Sequence, residues 1–385
     1  FDVYLININW GSTSWISDDN EEREWIDWLL GKTIQHTQAG GQFDISIQVT
    51  IPQEWDHLAP YNIGATAGTE TTKISPLWLE KSMMMDKIIT ISEHAKYGFE
   101  NTSYPAVNNQ TGEEFEAKVT CPIEVVGYPV KGIKQTNIDL DLEHDFNFLT
   151  VGTFIERKNL QNTIKWFVEE FYDKEVGLVV KTSMAKNSIK DRFITQNKLK
   201  SILQEYEGRT CKVYLLHGDL TEEEMTGLYN HPNIKALVSI SHGEGFGLPL
   251  FEASYNALPI VAPNWGGQVD FLNGPVKDKK GKTTFKPLFE TVAYDIKPIQ
   301  DQAVWENILI KDSMWCFAKE WNYKKSLRSV FKNYGGAKSK AVKLQKWVLE
   351  NFKEEDLQQK FCDHVYKPSK EEQEWGSMMN EIQMI

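Results

Sequence analysis

The sequence predicts an α/β protein of two doubly wound domains that face each other across a cleft. Short apolar runs of strand length alternate with segments of helical periodicity, which is typical of parallel sheets covered by helices. A length of 385 residues exceeds one ordinary hydrophobic core and suits two domains. The acidic excess is concentrated in the first part of the chain, since residues 1–145 hold 23 Asp and Glu against 9 Lys and Arg. We expect the domains to cover residues 1–145 and 146–353.

Composition is that of a globular protein, with 41% hydrophobic and 25% charged residues. No run of about 18 apolar residues occurs, so no integral membrane segment is predicted. The four cysteines are widely spaced, without a CxxC pair or metal-ligand spacing, and we expect reduced thiols in a cytoplasmic protein. The net charge of −12 disfavours a polyanionic partner. Residues 274–346 hold 16 Lys and Arg against 7 Asp and Glu, however, which keeps nucleic acid among the partners to consider.

The first domain is expected to open with a strand over residues 2–8, an apolar run that leads into a glycine-containing loop. Gly11 in that loop is a candidate for contact with a ligand, because glycine lets a ligand approach the backbone; a plain turn accounts for it nearly as well. Residues 21–30 predict an amphipathic helix. Residues 44–51 predict a second strand, which Pro52 ends.

A loop over a polar ligand is predicted at residues 62–72, which are mostly small or hydroxylated and include Glu70. Residues 88–91 predict a strand, and His94 lies just past it, at the cleft side of a parallel sheet. His94 is therefore a candidate to orient an acceptor hydroxyl, and a surface position at a helix N-terminus is the alternative. Residues 124–130 predict the last strand of this domain.

The segment from residue 133 to 145 is polar and acidic, which suits a linker between domains. It contains a D-x-D pattern at Asp139 and Asp141, and such a pair can hold a metal ion on a phosphate. The pattern is common by chance, and here it precedes a strand rather than ending one. We therefore interpret it as linker and predict no metal site.

The second domain opens with a strand at residues 146–152, and Arg157 and Lys158 follow shortly after it. Two adjacent cations at the end of a strand can neutralise an anion in the crevice. A solvated pair at a helix start is the alternative. Positive charge is mildly unfavourable at a helix start, however, which favours the interpretation that the two cations bind an anion. The next strand ends at Lys181, so Lys181 and Thr182 also reach the crevice rim.

Further elements follow in chain order. The strand at residues 211–216 leads to a loop that contains His217 and Gly218. Thr221 and Glu224 then have the spacing of a capping box at a helix start. The remaining predicted elements are a hairpin tip at 277–282, a helix from Trp305 and a helix at 337–351.

The stretch from residue 234 to 267 reads as strand, turn, helix and strand. Its first run is apolar enough for a strand buried on both faces, and Pro249 suits the first turn of a helix. The free amides of that helix N-terminus would point into the crevice and favour an anion. Glu244 and Glu252 face the same crevice. Because carboxylates repel phosphate, they are better explained as acceptors for hydroxyl groups, and together the features describe a nucleotide sugar.

Residues 244–252 read EGFGLPLFE, which resembles the E-x7-E signature of the family 4 (group 1) retaining glycosyltransferases of the GT-B fold. The R-K-N-L wording at 157–160 and the double glycine followed by Asp270 are also similar to that family. In the first domain the E-T-T wording at 70–72 extends the resemblance. Residues 354–385 resemble the final helix and tail that return to the first domain in this fold, which has two Rossmann-like domains.

The resemblance implies a retaining, metal-independent transfer of a sugar from a UDP- or GDP-sugar to a hydroxyl acceptor, with no cofactor besides the donor. It implies catalytic roles for Glu244, Arg157 and Lys158, with the two cations on the diphosphate. Glu252 would accept hydrogen bonds from the ribose. The acceptor side would include His94 and Glu70. The donor-binding residues it implies are Gly11, Lys181, Thr182, Gly218, Gly245, Phe246, Gly247, Leu248 and Glu252.

Several alternatives stay open at this point. The acceptor could be a glycan, a small molecule, a lipid-linked sugar or a modified base in nucleic acid. A sugar-nucleotide epimerase can share the two-domain fold, but the EGFGLP wording argues against it. A sugar-nucleotide-binding protein without activity is the third reading, and the intact carboxylates and cations argue against that one. The oligomeric state is left open by the sequence.

Overall fold

The computed structural model describes residues 2–6, 19–108, 110–278 and 280–367. Its helices are α1 (Glu21–Gln38), α2 (Pro76–Ser82), α3 (Glu93–Glu100), α4 (Leu160–Phe171), α5 (Ile189–Leu203), α6 (Glu222–Tyr229), α7 (Leu248–Tyr255), α8 (Val269–Leu272), α9 (Glu320–Lys332), α10 (Tyr334–Asn351) and α11 (Glu354–Val365). Its strands are β1 (Ile45–Val49), β2 (Tyr61–Thr66), β3 (Lys87–Thr90), β4 (Ser103–Val107), β5 (Glu114–Lys118), β6 (Ile123–Val125), β7 (Asn147–Val151), β8 (Gly177–Lys181), β9 (Lys212–Leu216), β10 (Ile234–Val238), β11 (Ile260–Pro263), β12 (Asn273–Lys277), β13 (Thr283–Pro287), β14 (Glu290–Val292), β15 (Tyr294–Pro298) and β16 (Met314–Ala318).

Two parallel sheets form the framework. The first has four strands in the order β1-β2-β3-β6, and every neighbouring pair is parallel. The second has six strands in the order β14-β11-β10-β7-β8-β9, again with parallel neighbours throughout. The antiparallel pairs β4-β5, β12-β13 and β15-β16 lie outside both sheets. The predicted α/β class with two parallel sheets is therefore confirmed.

Helices cover both faces of the second sheet because its strands are apolar at successive positions. Side chains alternate between faces along a strand, so neighbouring residues enter different cores. Phe148 packs in one core with α4 and α9, whereas Leu149 packs in the other with α6, α7 and α10. Val238 and Leu237 divide between the two cores in the same way. This sheet is doubly wound, as its continuous hydrophobic strands predict.

The first sheet is also covered on both faces. Ile88 packs in a core with Trp78 and other residues of the first half, whereas the next residue, Ile89, packs with Ile63 on the opposite face. Phe361 of α11 is among the residues that cover this second face. The last described helix of the chain therefore packs against the sheet formed by the first part of the chain.

The order of strands in the second sheet creates a switch point between β7 and β10. From β7 the chain adds β8 and β9 on one side, and it then returns to place β10 on the other side of β7, with Leu237 opposite Leu149. At such a point the connections after the two strands diverge and leave a crevice outside their carboxyl ends. The segments that begin at Gly152 and at Ser239 therefore enter the same crevice.

The predicted first strand is wrong for residues 2–6, the part of it that the structure describes. These residues join no described sheet. Instead the Leu5 N–H donates to Thr33 Oγ1 of α1 at 2.9 Å, and the Tyr4 ring lies 4.5 Å from the ring of His36. Contact with the side of α1 has replaced strand pairing. The apolar run was therefore a misleading signal for a strand at this position.

The predicted helix from Trp305 is also wrong. Trp305 and Leu309 exchange two backbone hydrogen bonds, of 3.0 and 2.8 Å, around a tight turn in which Asn307 has a φ of 61°. That left-handed conformation interrupts a right-handed helix. The next helix of the chain is α9, which starts at Glu320.

Other boundaries follow the sequence closely, with physical reasons for the differences. The strand predicted over 124–130 ends at Val125, after which the chain passes the Phe246 ring so closely that a Cβ on Gly127 would lie 3.1 Å from it. Asp139 and Asp141 lie exposed in the irregular connection to β7, as expected for a linker. The predicted hairpin tip connects β12 to β13.

The described helices include none with the length and apolar character needed to cross a membrane. The four cysteines form no disulfide, and they range from buried to exposed.

Candidate active site

The loop after β10 and the start of α7 carry the motif at the switch point. Pro249 lies in the first turn of α7, as predicted, and Gly247 precedes the helix with a φ of 95°, a left-handed conformation that suits glycine. Within the described part of the chain, the backbone N–H groups of residues 245–248 donate no hydrogen bond. Two of these amides, on Gly247 and Leu248, lie at the helix N-terminus, where backbone N–H groups favour an anion, and the other two precede it.

Arg157 and Lys158 reach this loop from the short 3-10 helix Glu156–Lys158 that follows β7. Arg157 Nη1 donates to Gly243 O at 2.7 Å and to Glu244 Oε2 at 3.1 Å. Lys158 Nζ donates to Glu244 Oε1 at 2.6 Å. Both cations therefore share one carboxylate, and the three residues that the sequence assigned to catalysis lie together.

Glu244 is ionised in this environment although its side chain is only 9% exposed. Burial opposes ionisation, but the charges of Lys158 and Arg157 together outweigh it and hold the Glu244 pKa below its usual range. Glu244 is thus paired with both cations. A donor that engages the cations would have to share them with Glu244.

Glu70 approaches the same cluster from the first half of the chain. Its Oε1 lies 3.3 Å from Arg157 Nε, and the two side chains are 25% and 18% exposed. The guanidinium therefore lies between two carboxylates, Glu70 and Glu244. The sequence placed Glu70 on the acceptor side, and the structure places it at a cation of the predicted diphosphate site.

Glu252 lies apart from that cluster, in a pocket of about 90 Å³ that Leu220, Met225 and Tyr229 also line. Tyr229 donates its hydroxyl to Glu252 Oε2 at 2.6 Å. Burial raises the pKa of Glu252 and outweighs this hydrogen bond, which acts in the opposite direction. The second carboxylate of the motif thus has one bound neighbour and a pocket beside it that is large enough for part of a ligand.

Two loops at the carboxyl ends of β8 and β9 are joined by hydrogen bonds. Lys181 Nζ donates to Gly218 O, and the Thr182 N–H donates to Leu216 O at 3.2 Å. Burial lowers the pKa of Lys181. Gly218 has a φ of 111° and open space where a Cβ would lie. Lys181 and Thr182, which were predicted at the crevice rim, are therefore neighbours of Gly218, which was predicted to bind the donor.

Asp191 of α5 is a residue that sequence reasoning missed. Its carboxylate accepts the backbone N–H groups of Met184, Ala185 and Lys186 at 2.9, 2.6 and 3.1 Å, and it lies 2.9 Å from His217 Nε2. It thereby joins the loop after β8 to the loop after β9. The only sequence signal for it is an aspartate in the first turn of a helix, which is ordinary for that position.

Asp191→Asn is expected to lower the melting temperature by several degrees at pH 7, with a gap that narrows as the pH falls below about 4. The His217 hydrogen bond, supported by the backbone N–H groups, holds the Asp191 pKa below its usual range despite burial. Stability from this carboxylate is therefore complete above the ordinary aspartate pKa of about 3.9 and is lost in acid. Melting curves of both proteins from pH 3 to 7 measure it. The exposed Asp145→Asn serves as control, and a gap independent of pH would contradict the assignment.

His242 is a second missed residue, although it is adjacent to the motif. Trp315 Nε1 donates to Gln300 Oε1 at 2.9 Å, which leaves the Gln300 amide nitrogen to donate to His242 Nε2 at 3.2 Å. His242 Nδ1 must then carry the proton and donate to Cys316 O at 2.6 Å. The imidazole is neutral, consistent with a pKa that burial lowers. Its backbone N–H donates to Arg157 O at 2.7 Å and so fixes the loop that holds the cation.

His94 faces the cleft from the start of α3, with its ring 4.7 Å from the Trp265 ring. Its Nε2 is buried and has no hydrogen-bond partner among the described residues. Burial lowers the pKa of His94 to about 4, so the ring is neutral.

Nearby, the Glu93 N–H donates to Asp270 Oδ2 at 2.8 Å, and burial raises the pKa of Asp270 to about 6. Gly11 lies outside the described residues.

The two halves of the chain meet through backbone at the motif. A Cβ on Gly243 would lie 2.1 Å from Glu70 O, and a Cβ on Gly245 would lie 2.9 Å from Ala67 O. Ser92 Oγ donates to Gly245 O at 2.6 Å. The cleft is therefore closed directly over the loop that carries Glu244.

No protein-family model and no curated protein matches the chain. Solved structures do match it. A sucrose-phosphate synthase from Thermosynechococcus elongatus is 12% identical, with a TM-score of 0.55 over 89% of this chain and 78% of that one. The trehalose-6-phosphate structure from E. coli bound with UDP-2-fluoro glucose is 10% identical, with a TM-score of 0.55 over 91% and 80%.

A pneumococcal O-GlcNAc transferase, GtfA, in complex with UDP and GlcNAc is 13% identical, with a TM-score of 0.46 over 79% of this chain. The chain spans 52% of the length of that protein. The two likenesses with the higher TM-score show the fold of this chain, which is the GT-B fold predicted from the sequence.

Proposed function

We propose, from the GT-B fold and the two cations at its switch point, that this chain is a glycosyltransferase that uses a nucleoside diphosphate sugar as donor. The observation that carries the proposal is the convergence of Arg157, Lys158 and the free amides of residues 245–248 at the carboxyl ends of β7 and β10. Two fixed cations and a helix N-terminus fit the two phosphates of such a donor. A structure of the same fold is bound with UDP-2-fluoro glucose, which favours the same donor class.

The nucleoside would lie beside the diphosphate, towards the Glu252 pocket. Glu252 Oε2 already accepts from Tyr229, so the carboxylate has acceptor capacity left for the ribose hydroxyls. The joined loops that contain Lys181, Thr182 and Gly218 border this region and would contact the base or the phosphates. We also propose that Gly11 lies near the diphosphate, as the sequence resemblance implies.

The sugar would lie between Glu244 and the first half of the chain. Once the phosphates engage the cations, Glu244 can accept hydrogen bonds from sugar hydroxyls. The neutral His94, whose Nε2 lacks a partner among the described residues, can accept or donate one further hydrogen bond to a sugar or to the acceptor. These groups orient the anomeric carbon in the closed cleft, and closure excludes water from the reaction.

The proposed transfer retains the anomeric configuration and needs no metal ion. The bond between the anomeric carbon and the phosphate oxygen breaks, and the acceptor hydroxyl oxygen forms its bond on the same face. The proton of that hydroxyl passes to the departing phosphate oxygen. Arg157 and Lys158 neutralise the charge that develops on the diphosphate, as a Mg²⁺ ion does in other transferases.

Binding of a nucleoside diphosphate in the presence of EDTA is the expected result that tests this function. One of UDP, GDP and ADP, or its sugar, should raise the melting temperature of the purified protein by several degrees, since a ligand that binds only the folded state stabilises it. CMP, which has a single phosphate, is the control and should have a smaller effect. A folded protein that responds to none of the diphosphates would contradict the proposal.

A further inference from the structure

Glu70 differs from the other members of the cation cluster in its origin. Arg157, Lys158 and Glu244 all belong to the two connections at the switch point, whereas Glu70 follows β2 in the first sheet. Its carboxylate lies 3.3 Å from Arg157 Nε, and its backbone is held against Gly243. The contact therefore exists only while the two halves are closed on each other.

The cluster is electrically balanced without any ligand. Arg157 and Lys158 supply two positive charges, and Glu244 and Glu70 supply two negative ones, all within ion-pair distance. A diphosphate would add further negative charge to a partly buried site, where like charges repel strongly. One carboxylate must therefore give up its contact with the cations when the anion binds.

The contacts indicate that Glu70 is the group that leaves. Glu244 is held by both cations, at 2.6 and 3.1 Å, and its backbone O accepts the Gly267 N–H at 2.8 Å. Glu70 has one longer ion-pair contact, of 3.3 Å, and its side chain is 25% exposed, against 9% for Glu244.

We propose that Glu70 is an internal competitor of the donor diphosphate, which pairs with Arg157 and must be displaced by the phosphates. This inference rests on the proposed function and adds a regulatory contact to the same site. The competition lowers the apparent affinity for every diphosphate, because part of the binding free energy is used to displace Glu70. It also keeps the cation neutralised between catalytic cycles.

Glu70→Gln is expected to bind inorganic pyrophosphate, UDP and GDP about tenfold more tightly than the original protein, a gain in the usual range for coupling between groups. Glutamine keeps the length and shape of the side chain and removes its charge. Isothermal titration calorimetry with these three probes, in EDTA, measures the dissociation constants. An unchanged or weaker affinity for the three probes would contradict the competition.

Asp312→Asn is the matched control. Lys73 Nζ lies 2.7 Å from Asp312 Oδ2 in a second ion pair that joins the two halves, remote in its contacts from Arg157. It should leave the three affinities within about twofold. Equal tightening by both substitutions would attribute the gain to a looser cleft and overturn the role of Glu70.

The Arg157→Gln background provides the second control. If Glu70 competes for Arg157, then Glu70→Gln should have no effect on pyrophosphate affinity once Arg157 is absent, and a double-mutant cycle measures that coupling. A gain that persists without Arg157 overturns the inference. If Glu70→Gln fails to fold, Glu70→Asp withdraws the carboxylate by about 1.5 Å and should give a smaller gain; an unchanged affinity would again overturn it.

The outcomes also separate this inference from the proposed function. Binding of UDP or GDP by the original protein with no tightening by Glu70→Gln contradicts the competition alone. Failure of the original protein and of Glu70→Gln to bind any of the three probes contradicts the proposed function, and the inference with it.

Discussion

Glu244→Gln is expected to lower the rate of sugar transfer by about 100- to 1000-fold, the size of effect seen when one preorganised polar group is removed from an active site. Glutamine replaces one carboxylate oxygen by an amide that would point its hydrogens at Lys158 or Arg157, 2.6 and 3.1 Å away. The shared acceptor that positions both cations is thereby lost. Release of nucleoside diphosphate in the presence of acceptor measures turnover.

The choice of glutamine separates catalysis from folding. Alanine would leave two mostly buried cations without their shared partner, at a cost of about 3–5 kcal/mol in folding free energy. Glu156→Gln is the control, because Glu156 lies in the same 3-10 helix as the cations, is exposed, and accepts from Gln300 at 3.2 Å. That variant should retain full turnover. Near-normal turnover by Glu244→Gln would remove Glu244 from the catalytic group.

Lys158→Met is expected to lower kcat about 100-fold, with a smaller change in KM for the donor. Methionine keeps most of the apolar length of the side chain and removes its charge. In the proposed reaction negative charge grows on the departing diphosphate, so the lysine acts more strongly in the transition state than in the bound ground state. Steady-state kinetics with saturating acceptor give both parameters.

Lys165→Met is the control for the charge change. Lys165 is exposed and lies in α4, the helix that follows the 3-10 helix containing Lys158. It should leave both parameters unchanged. A Lys158→Met enzyme with a raised KM and an unchanged kcat would show that the lysine only binds the donor. Melting curves would identify any part of the loss that reflects unfolding.

Much of the second half could be predicted from the sequence because its strands are buried on both faces. The run around Val238 and the one around Leu149 are mostly apolar and place neighbouring residues in two different cores, which a half-exposed strand does not. The motif that follows β10 has a glycine and a proline where the backbone requires them, so its helix start could also be predicted. The capping box at Thr221 and Glu224 is present as expected.

The predictions for residues 2–6 and for the Trp305 region were wrong for the same reason. An apolar run indicates burial but does not say which partner buries it, and residues 2–6 contact α1 instead of a sheet. At Trp305 the decisive feature is the positive φ of Asn307, which ordinary helix periodicity does not detect. Tertiary contact and local backbone conformation overrode the pattern in each case.

The candidate site was predictable residue by residue and not as a set of contacts. Sequence analysis singled out Glu244, Arg157 and Lys158, but it assigned the cations to a ligand and did not anticipate that Glu244 binds both. The contact of Glu70 with Arg157 spans 87 positions in the chain, and nothing local encodes it. Asp191 and His242 were missed because each acts through a hydrogen bond to a different connection.

The close backbone contacts at Gly243 and Gly245 act as a mechanical stop. Because main chain meets main chain there, with no side chain between, van der Waals contact between backbone atoms limits how closely the two halves approach. Side chains around the cleft can then be exchanged without altering how far it shuts. Such a stop would let the side chains that recognise the substrate diverge over evolution while the spacing between the reacting groups stays constant.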